Sequence, residues 1–221
     1  MFTVSRQQEV RVIDLGVIPW REAYDIQRDF VWQVIGGQAA ALILCEHPAV
    51  ITMGRAAHPQ HLLLTGDELR REGVDVLEAD RGGDVTLHAP GQLVLYPIID
   101  LNHYGRDLRA YLRAIESAVI VTLQSFGIDA SRNSANTGLW AGQKKIMSLG
   151  IGVKRWVAYH GLGLNVNTDL SLFRYIKPCG LDVEMTSMER QTGNKIDIQL
   201  VKNRLIDCFC RHFQLESDKD L

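Results

Sequence analysis

No run of about 18 consecutive apolar residues occurs in the 221-residue chain, so no segment is long enough to cross a membrane as a helix. The opening residues, MFTVSRQQEVRVIDLG, have neither the apolar core nor the small-residue cleavage site of a secretory signal. A cytoplasmic, unprocessed protein without a membrane partner is expected. An excess of one charge sign is also missing. The formal net charge is -2, and no whole-surface attraction to nucleic acid is expected. Neither G-x-x-x-x-G-K-[ST] nor a strand-to-helix G-x-G-x-x-G is present, which argues against a bound nucleotide cofactor. Cysteine is sparse: Cys45, Cys179, Cys208 and Cys210 follow no zinc-binding spacing, so no metal is expected. In a reducing compartment Cys208 and Cys210 read as packing residues of a terminal helix. Internal repeats and low-complexity linkers are absent as well, which points to a single domain over residues 1–221 with an ordered core from about 10 to 213.

What is present is ordinary globular material, 46% hydrophobic and 23% charged, and long enough to bury a sizeable core. The apolar spacing predicts a strand over 10–15 and an amphipathic helix over 20–34, with Ala23, Ile26, Phe30, Val31 and Val34 on one face. A continuous apolar run predicts a central strand over 40–45, followed by another strand over 50–53. Further on come a helix over 62–72, a strand over 74–78 and a long helix over 107–126. The core face of that helix carries Leu108, Tyr111, Leu112, Ile115, Val119, Thr122 and Leu123. A strand-like segment over 148–157, a turn at His160-Gly161, a brief helix over 170–175, a final helix over 198–213 and a loose charged tail over 216–221 complete the chain. Strands interleaved with a few helices, without regular βαβ repeats, favour an α+β class with helices packed on a mixed or antiparallel sheet.

Two stretches carry chemistry. In RGGDVTLHAPGQLVLYPIIDL, Gly82-Gly83 permits close backbone approach to a ligand but equally suits a hairpin turn, and His88 reads equally as a satisfied strand histidine. Pro90-Gly91 marks a turn between strands. In the second stretch, from 138 to 181, Lys145 stands beside Ile146, and Cys179 is flanked by Pro178 and Gly180. A thiol between a ring-restricted residue and one without a side chain suits an accessible tight turn. Taken singly, a cysteine is as readily a small buried hydrophobe, and a lysine a solvated surface charge. Together they can form a dyad, because an ammonium lowers a thiol pKa and a desolvated lysine can release its proton near neutrality.

RGGDVTLHAPGQLVLYPIIDL, TGLWAGQKKIMSLGIGV, YHGLGLNVNTDL and KPCGL, in this order and spacing, closely resemble the lipoyl(octanoyl) transferase family, as do EHPAVITMGR and RDLRAYLRAIESAVIVTLQSFGI. The resemblance covers residues 10–213 and implies a fold related to the biotin- and lipoate-protein ligases. It implies transfer of an octanoyl group from octanoyl-acyl carrier protein to a lysine of a lipoyl domain. The acceptors it implies are the lipoyl domains of 2-oxoacid dehydrogenase E2 subunits and the glycine cleavage H protein. No cofactor is implied, since a thioester donor needs no ATP. The family's catalytic cysteine falls on Cys179 and its catalytic lysine on Lys145. Its acyl-substrate pocket falls on Arg81, Gly82, Gly83, Asp84, Val85, Thr86, Leu87 and His88, on Ser148, Leu149 and Gly150, and on Gly161, Leu162 and Gly163. Leu87, Ala89 and Leu95 depart from the family's aromatic, glycine and glycine, changes expected to bear on the pocket wall and chain-length preference.

An eight-carbon chain calls for an apolar tunnel, for which Leu149, Ile151, Leu162 and Leu164 are expected linings. Arg55, Arg70, Arg71, Lys154 and Arg155 are candidates for a docking rim toward acidic partners. Three rivals remain: an ATP-dependent lipoate- or biotin-protein ligase of the same fold, a non-catalytic carrier-binding module, and a cysteine hydrolase pairing Cys179 with His88 or His160.

Overall fold

The run AALILCE is apolar through Cys45, so a strand built from it must be covered on both faces. The computed structural model, which describes residues 8–133, 137–177 and 183–218, places it in the interior of a seven-stranded sheet. That strand, β2 (Ala40–Glu46), has β1 (Gln8–Val17) parallel on one side and β6 (Gln92–Asp100) antiparallel on the other. Beyond β6 the sheet continues antiparallel through β9 (Val157–Asn165), β8 (Lys144–Lys154) and the short β7 (Leu139–Ala141). The other edge is β10 (Leu215–Ser217), parallel to β1.

Alternation along β2 divides the core. Leu42 and Leu44 face the helices α3 (Leu108–Ser125) and α5 (Ile198–Phe213), while Ala41, Ile43 and Cys45 face α1 (Trp20–Ile35). Each such leucine or isoleucine contributes about 1.5–3 kcal/mol by leaving water. A second sheet of three strands, β4 (Asp75–Glu78), β3 (Val50–Met53) and β5 (Val85–His88), has its own apolar cluster with α2 (Gly66–Arg71) and the 3₁₀ segment Leu170–Tyr175. A short α4 (Met188–Thr192) precedes α5. The architecture is α+β with a mixed principal sheet. No helix among the described residues is long and apolar enough to cross a membrane.

Several local expectations are corrected. The helix expected over 62–72 starts only at Gly66, because Thr65 forms a capping box with Glu68 that fixes the first turn. The strand expected over 148–157 is two strands, β8 and β9, joined by a hairpin turn in which Arg155 and Trp156 adopt φ of +49° and +67°. Side chains as large as these rarely occupy that region, so the turn carried no glycine or asparagine signal. His160-Gly161 is not a turn but lies inside β9. The ladder between β6 and β9 lapses there, opposite Pro97, which has no N–H to donate, and His160 takes φ +56°. Part of the tail expected to be loose forms β10. On α3, Leu108 is 39% exposed, whereas Glu116, which the apolar spacing passed over, is buried. Cys208 packs in the core and Cys210 lies against it, as expected for a terminal helix.

Candidate active site

β7 pairs with β8 only as far as Met147, and the edge of β8 beyond that point receives the loop between β4 and β5. Gly82 donates its N–H to the Ile151 carbonyl at 2.8 Å. Arg81 holds this loop from within: its guanidinium donates to the Gly82 and Asp84 carbonyls (3.1 and 2.9 Å) and to the Thr52 carbonyl and hydroxyl (2.7 and 2.8 Å). The approach is close enough that a Cβ on Gly150 would stand 2.8 Å from the Gly82 carbonyl oxygen. Between the loop, β8 and β9 lies a cavity of about 310 Å³.

Lys145 lines this cavity and is only 5% exposed. Its backbone is fixed on both sides. Trp140 pairs with it across β7, and its N–H and C=O bond the Glu184 carbonyl (2.8 Å) and the Thr186 N–H (2.9 Å). Leu139 pairs with Met147 but Trp140 with Lys145, so Ile146 is an extra residue that bulges β8 at the lysine. Such a bulge re-aims the side chain beside it. The Lys145 ammonium lies 5.0 Å from the Trp140 ring centroid, a favourable cation–π placement. Lys144, one residue earlier, is paired with Glu184 at the surface.

The opposite part of the cavity is lined by Trp20, His88, Tyr96 and His160. The His88 tautomer can be worked out from two backbone carbonyls. Asn165 must donate its amide N–H to the Thr186 carbonyl (3.0 Å), so its oxygen accepts from the Gln92 amide (2.9 Å), which also donates to the Leu87 carbonyl (3.2 Å). The Gln92 oxygen is then an acceptor, and His88 Nδ1, at 2.6 Å, carries the proton. Burial, assisted by His47 and Arg81, pushes the His88 pKa down to about 3, so the ring is neutral and its Nε2 is an acceptor. It cannot donate to an oxyanion from Nε2. His47, also held neutral by burial, donates from Nδ1 to the Ile18 carbonyl (2.7 Å) and accepts from the Tyr96 hydroxyl (2.8 Å).

His160 is stacked near Trp20 and Tyr24 and bonds Asp80 through Nε2 at 2.7 Å. Burial pulls its pKa down against the opposing pull of that carboxylate. At Asp80 itself burial favours the neutral acid, but hydrogen bonds from His160 and Tyr159 outweigh it and hold the carboxyl below its usual range.

The cavity brings together Arg81, Gly82, Gly83, Asp84, Val85, Thr86 and His88 with Lys145, and with the expected residues of β8 and β9, namely Ser148, Leu149, Gly150, Gly161, Leu162 and Gly163. Leu87 is the exception: strand alternation turns it into the apolar cluster of the smaller sheet. Ile151 lines the cavity as expected, whereas Leu164 is in the main core. Ala89 and Leu95 are also core residues, so none of the three departures from the family pattern forms the cavity wall. Cys179 lies outside the described residues. Of the expected rim, Lys154 and Arg155 stand over the exposed ring of Trp32, and Arg70 is paired with Asp67. Trp20, Tyr96, Leu112 and Thr137, all cavity residues, had not been expected. Tyr96 and Thr137 had stood within the motifs that carry the resemblance without being singled out, and Leu112 had carried a signal only as a helix core position. Among the described residues no group of acids, histidines and cysteines is placed to hold a metal ion.

Comparison with known proteins identifies the family. Residues 20–210 match the lipoyl protein ligase A/B catalytic domain family. The chain is 46% identical over 203 residues to an octanoyltransferase of Solibacter usitatus, covering 91% of this chain and 92% of that protein. It is 42% identical to an octanoyltransferase of Syntrophotalea carbinolica, covering 93% of each. Solved structures with the same fold include lipoate-protein ligase A bound with ATP, with a TM-score of 0.75 at 21% identity over 96% of this chain and 90% of that one. A bipartite lipoate protein ligase from Thermoplasma acidophilum has a TM-score of 0.75 at 16% identity, covering 97% and 87%. The biotin protein ligase of Aquifex aeolicus has a TM-score of 0.53 at 12% identity, covering 95% and 70%. With a family match across most of its length and relatives above 40% identity along nearly all of theirs, the chain belongs to the octanoyltransferases of the lipoyl protein ligase A/B catalytic domain family.

Proposed function

We propose that this protein is a cytoplasmic acyltransferase that moves an octanoyl group from octanoyl-acyl carrier protein to a lysine of a lipoyl domain through a thioester on Cys179. The observation that carries the proposal is a buried Lys145 in one cavity with the Arg81-Gly82-Gly83 loop and the apolar side chains of Leu149, Ile151 and Leu162. The other cysteines are poor alternatives. Cys45 is fully buried and burial pushes its thiol up, Cys208 is buried in the core, and burial raises Cys210 to about 11. None of them lines the cavity. The thiolate is the reactive form, so such thiols are inert.

In the first half-reaction the Cys179 thiolate adds to the acyl carbonyl, the tetrahedral oxyanion collapses, and the carrier thiolate leaves, taking a proton from the Lys145 ammonium and leaving the lysine neutral. In the second, the acceptor amine adds to the enzyme thioester, Lys145 takes a proton from the nitrogen, and the Cys179 thiolate is released. The charged lysine favours the thiolate and the neutral lysine serves as base, assistance typically worth ~10²–10⁴ in rate. His88 is not that base: a ring titrating near 3 has little proton affinity at neutral pH. The donor is already activated, so no ATP is consumed.

The test is intact-mass measurement after incubation with octanoyl-acyl carrier protein. The expected result is a covalent octanoyl adduct that is lost in Cys179→Ser and discharged when lipoyl domain is added. Lys145→Met should slow discharge. Octanoylation of the lipoyl domain only when ATP and free octanoate are supplied would refute the transferase and establish a ligase. Free octanoate with an unmodified lipoyl domain would establish a hydrolase.

A further inference from the structure

Glu116 is a carboxylate in the middle of the core-facing side of α3, with its side chain 3% exposed. A charge so placed is tolerated only when its oxygens are matched by donors. One oxygen receives Arg113 Nη1 (3.1 Å) and Arg132 Nε (2.9 Å), and the other accepts the backbone N–H of Gly138 (3.2 Å). Arg132 is locked in turn, donating to the Arg113 carbonyl (3.0 Å) and to the Ser117 hydroxyl (2.6 Å). Its neighbour Ser131 makes two backbone hydrogen bonds with Trp140 (2.8 and 2.9 Å).

The Lys145 side chain lies against Gly138 and Trp140. Gly138 has φ +122°, and a Cβ there would stand 3.0 Å from Lys145 Cε and would overlap the Met147 carbonyl oxygen. The Trp140 ring faces the ammonium. The carboxylate on α3 is therefore bonded directly to the wall that seats the lysine.

We infer that Glu116 is a positioning residue for Lys145, clamping the Gly138–Trp140 wall so that the amine is held at one place in the cavity. The inference rests on the proposed role of Lys145 in moving the proton. An amide cannot replace the carboxylate. Glutamine keeps one acceptor for Gly138 but turns an NH₂ toward two guanidinium groups, so donors meet donors and the clamp opens.

The test uses the full chain carrying Glu116→Gln. Misplacement of about 1 Å in a catalytic group costs on the order of 10²-fold, so kcat should fall roughly 10- to 100-fold while KM for octanoyl-acyl carrier protein stays nearly constant. Trace acetylation with acetic anhydride, read by peptide mass spectrometry, supplies a measurement that needs no catalysis. Lys145 should label several-fold faster in the variant. Lys202, equally buried at 5% exposure and paired with Asp14 at 2.8 Å, should not change. Equal acceleration at both lysines would mean general loosening and would overturn the inference. So would unchanged labelling at Lys145, a loss carried by KM alone, or faster labelling with kcat intact. Should Glu116→Gln fail to fold, Arg132→Gln removes the same clamp from its half-exposed side and must give the same pattern in milder form. If the wild type transfers no octanoyl group, the labelling contrast between the two lysines still decides whether the clamp exists, while the proposed reaction falls separately.

Discussion

Replacing Gln92 with methionine tests whether the chain from His88 to Thr186 is one unit. The substitution keeps length and approximate volume but removes both the amide oxygen and the amide NH₂. His88 Nδ1–H loses its acceptor at 2.6 Å and Asn165 Oδ1 loses its donor at 2.9 Å, and both residues are buried. A buried polar atom left without a partner costs roughly 1–3 kcal/mol, so two of them should lower the unfolding free energy by about 3 kcal/mol or somewhat more. For a chain of this size 1 kcal/mol corresponds to about 2–4 °C in Tm, which puts the expected fall near 6–12 °C. Urea titration and thermal melts read the stability. The nitrogen chemical shifts of His88 read the tautomer, which should change from Nδ1–H alone to a mixture. A loss below about 0.5 kcal/mol, the ordinary range for surface changes, would show that Gln92 does not hold the histidine. So would a tautomer that stays put.

Acid should destabilise the fold well above the carboxylate range. His47, His88 and His160 all have folded pKa values below the ordinary histidine value, so the unfolded chain binds more protons. Stability is then full above about pH 6.5 and falls as pH drops toward 3, the region where His88 itself titrates. Melts from pH 7.5 to 4 should show that slope reduced in His88→Gln, and an unchanged slope would place the acid sensitivity elsewhere. Gly150→Ala puts a methyl 2.8 Å from the Gly82 carbonyl, so the loop must withdraw from β8. Overpacking of this kind costs ~1–3 kcal/mol, and octanoyl transfer should fall with it, whereas wild-type rates in a fully folded variant would deny the loop a place in the site. Leu112→Trp narrows the cavity from the α3 side and should shift acyl preference toward shorter chains, while Leu87→Val, whose side chain faces the other core, should leave chain-length preference unchanged. Competition between octanoyl and hexanoyl donors decides between them.

Much of this protein is legible in its residues alone. Periodicity gives α1, α3 and α5 nearly to their ends, because an amphipathic stripe or a capping aspartate acts within a few residues. The apolar run from Ala40 marks a strand buried on both faces. The motif order points to the family and to Lys145 through local sequence. What sequence misses depends on contacts between distant segments. The β8–β9 turn is made by Arg155 and Trp156, residues with no turn preference, and only the surrounding sheet holds them there. Leu87 sits inside a site motif yet faces away from the cavity, since a strand sends alternate side chains to opposite faces and one face belongs to another cluster. Glu116 reads as an interruption in an apolar stripe until Arg132 and Gly138 are folded against it. Sequence marked most of the segments that become helices and strands and drew attention to Lys145, because those signals are set by neighbours along the chain. Tertiary structure alone decided that a glycine, a tryptophan and a carboxylate converge on that lysine, because burial and hydrogen bonding act across space.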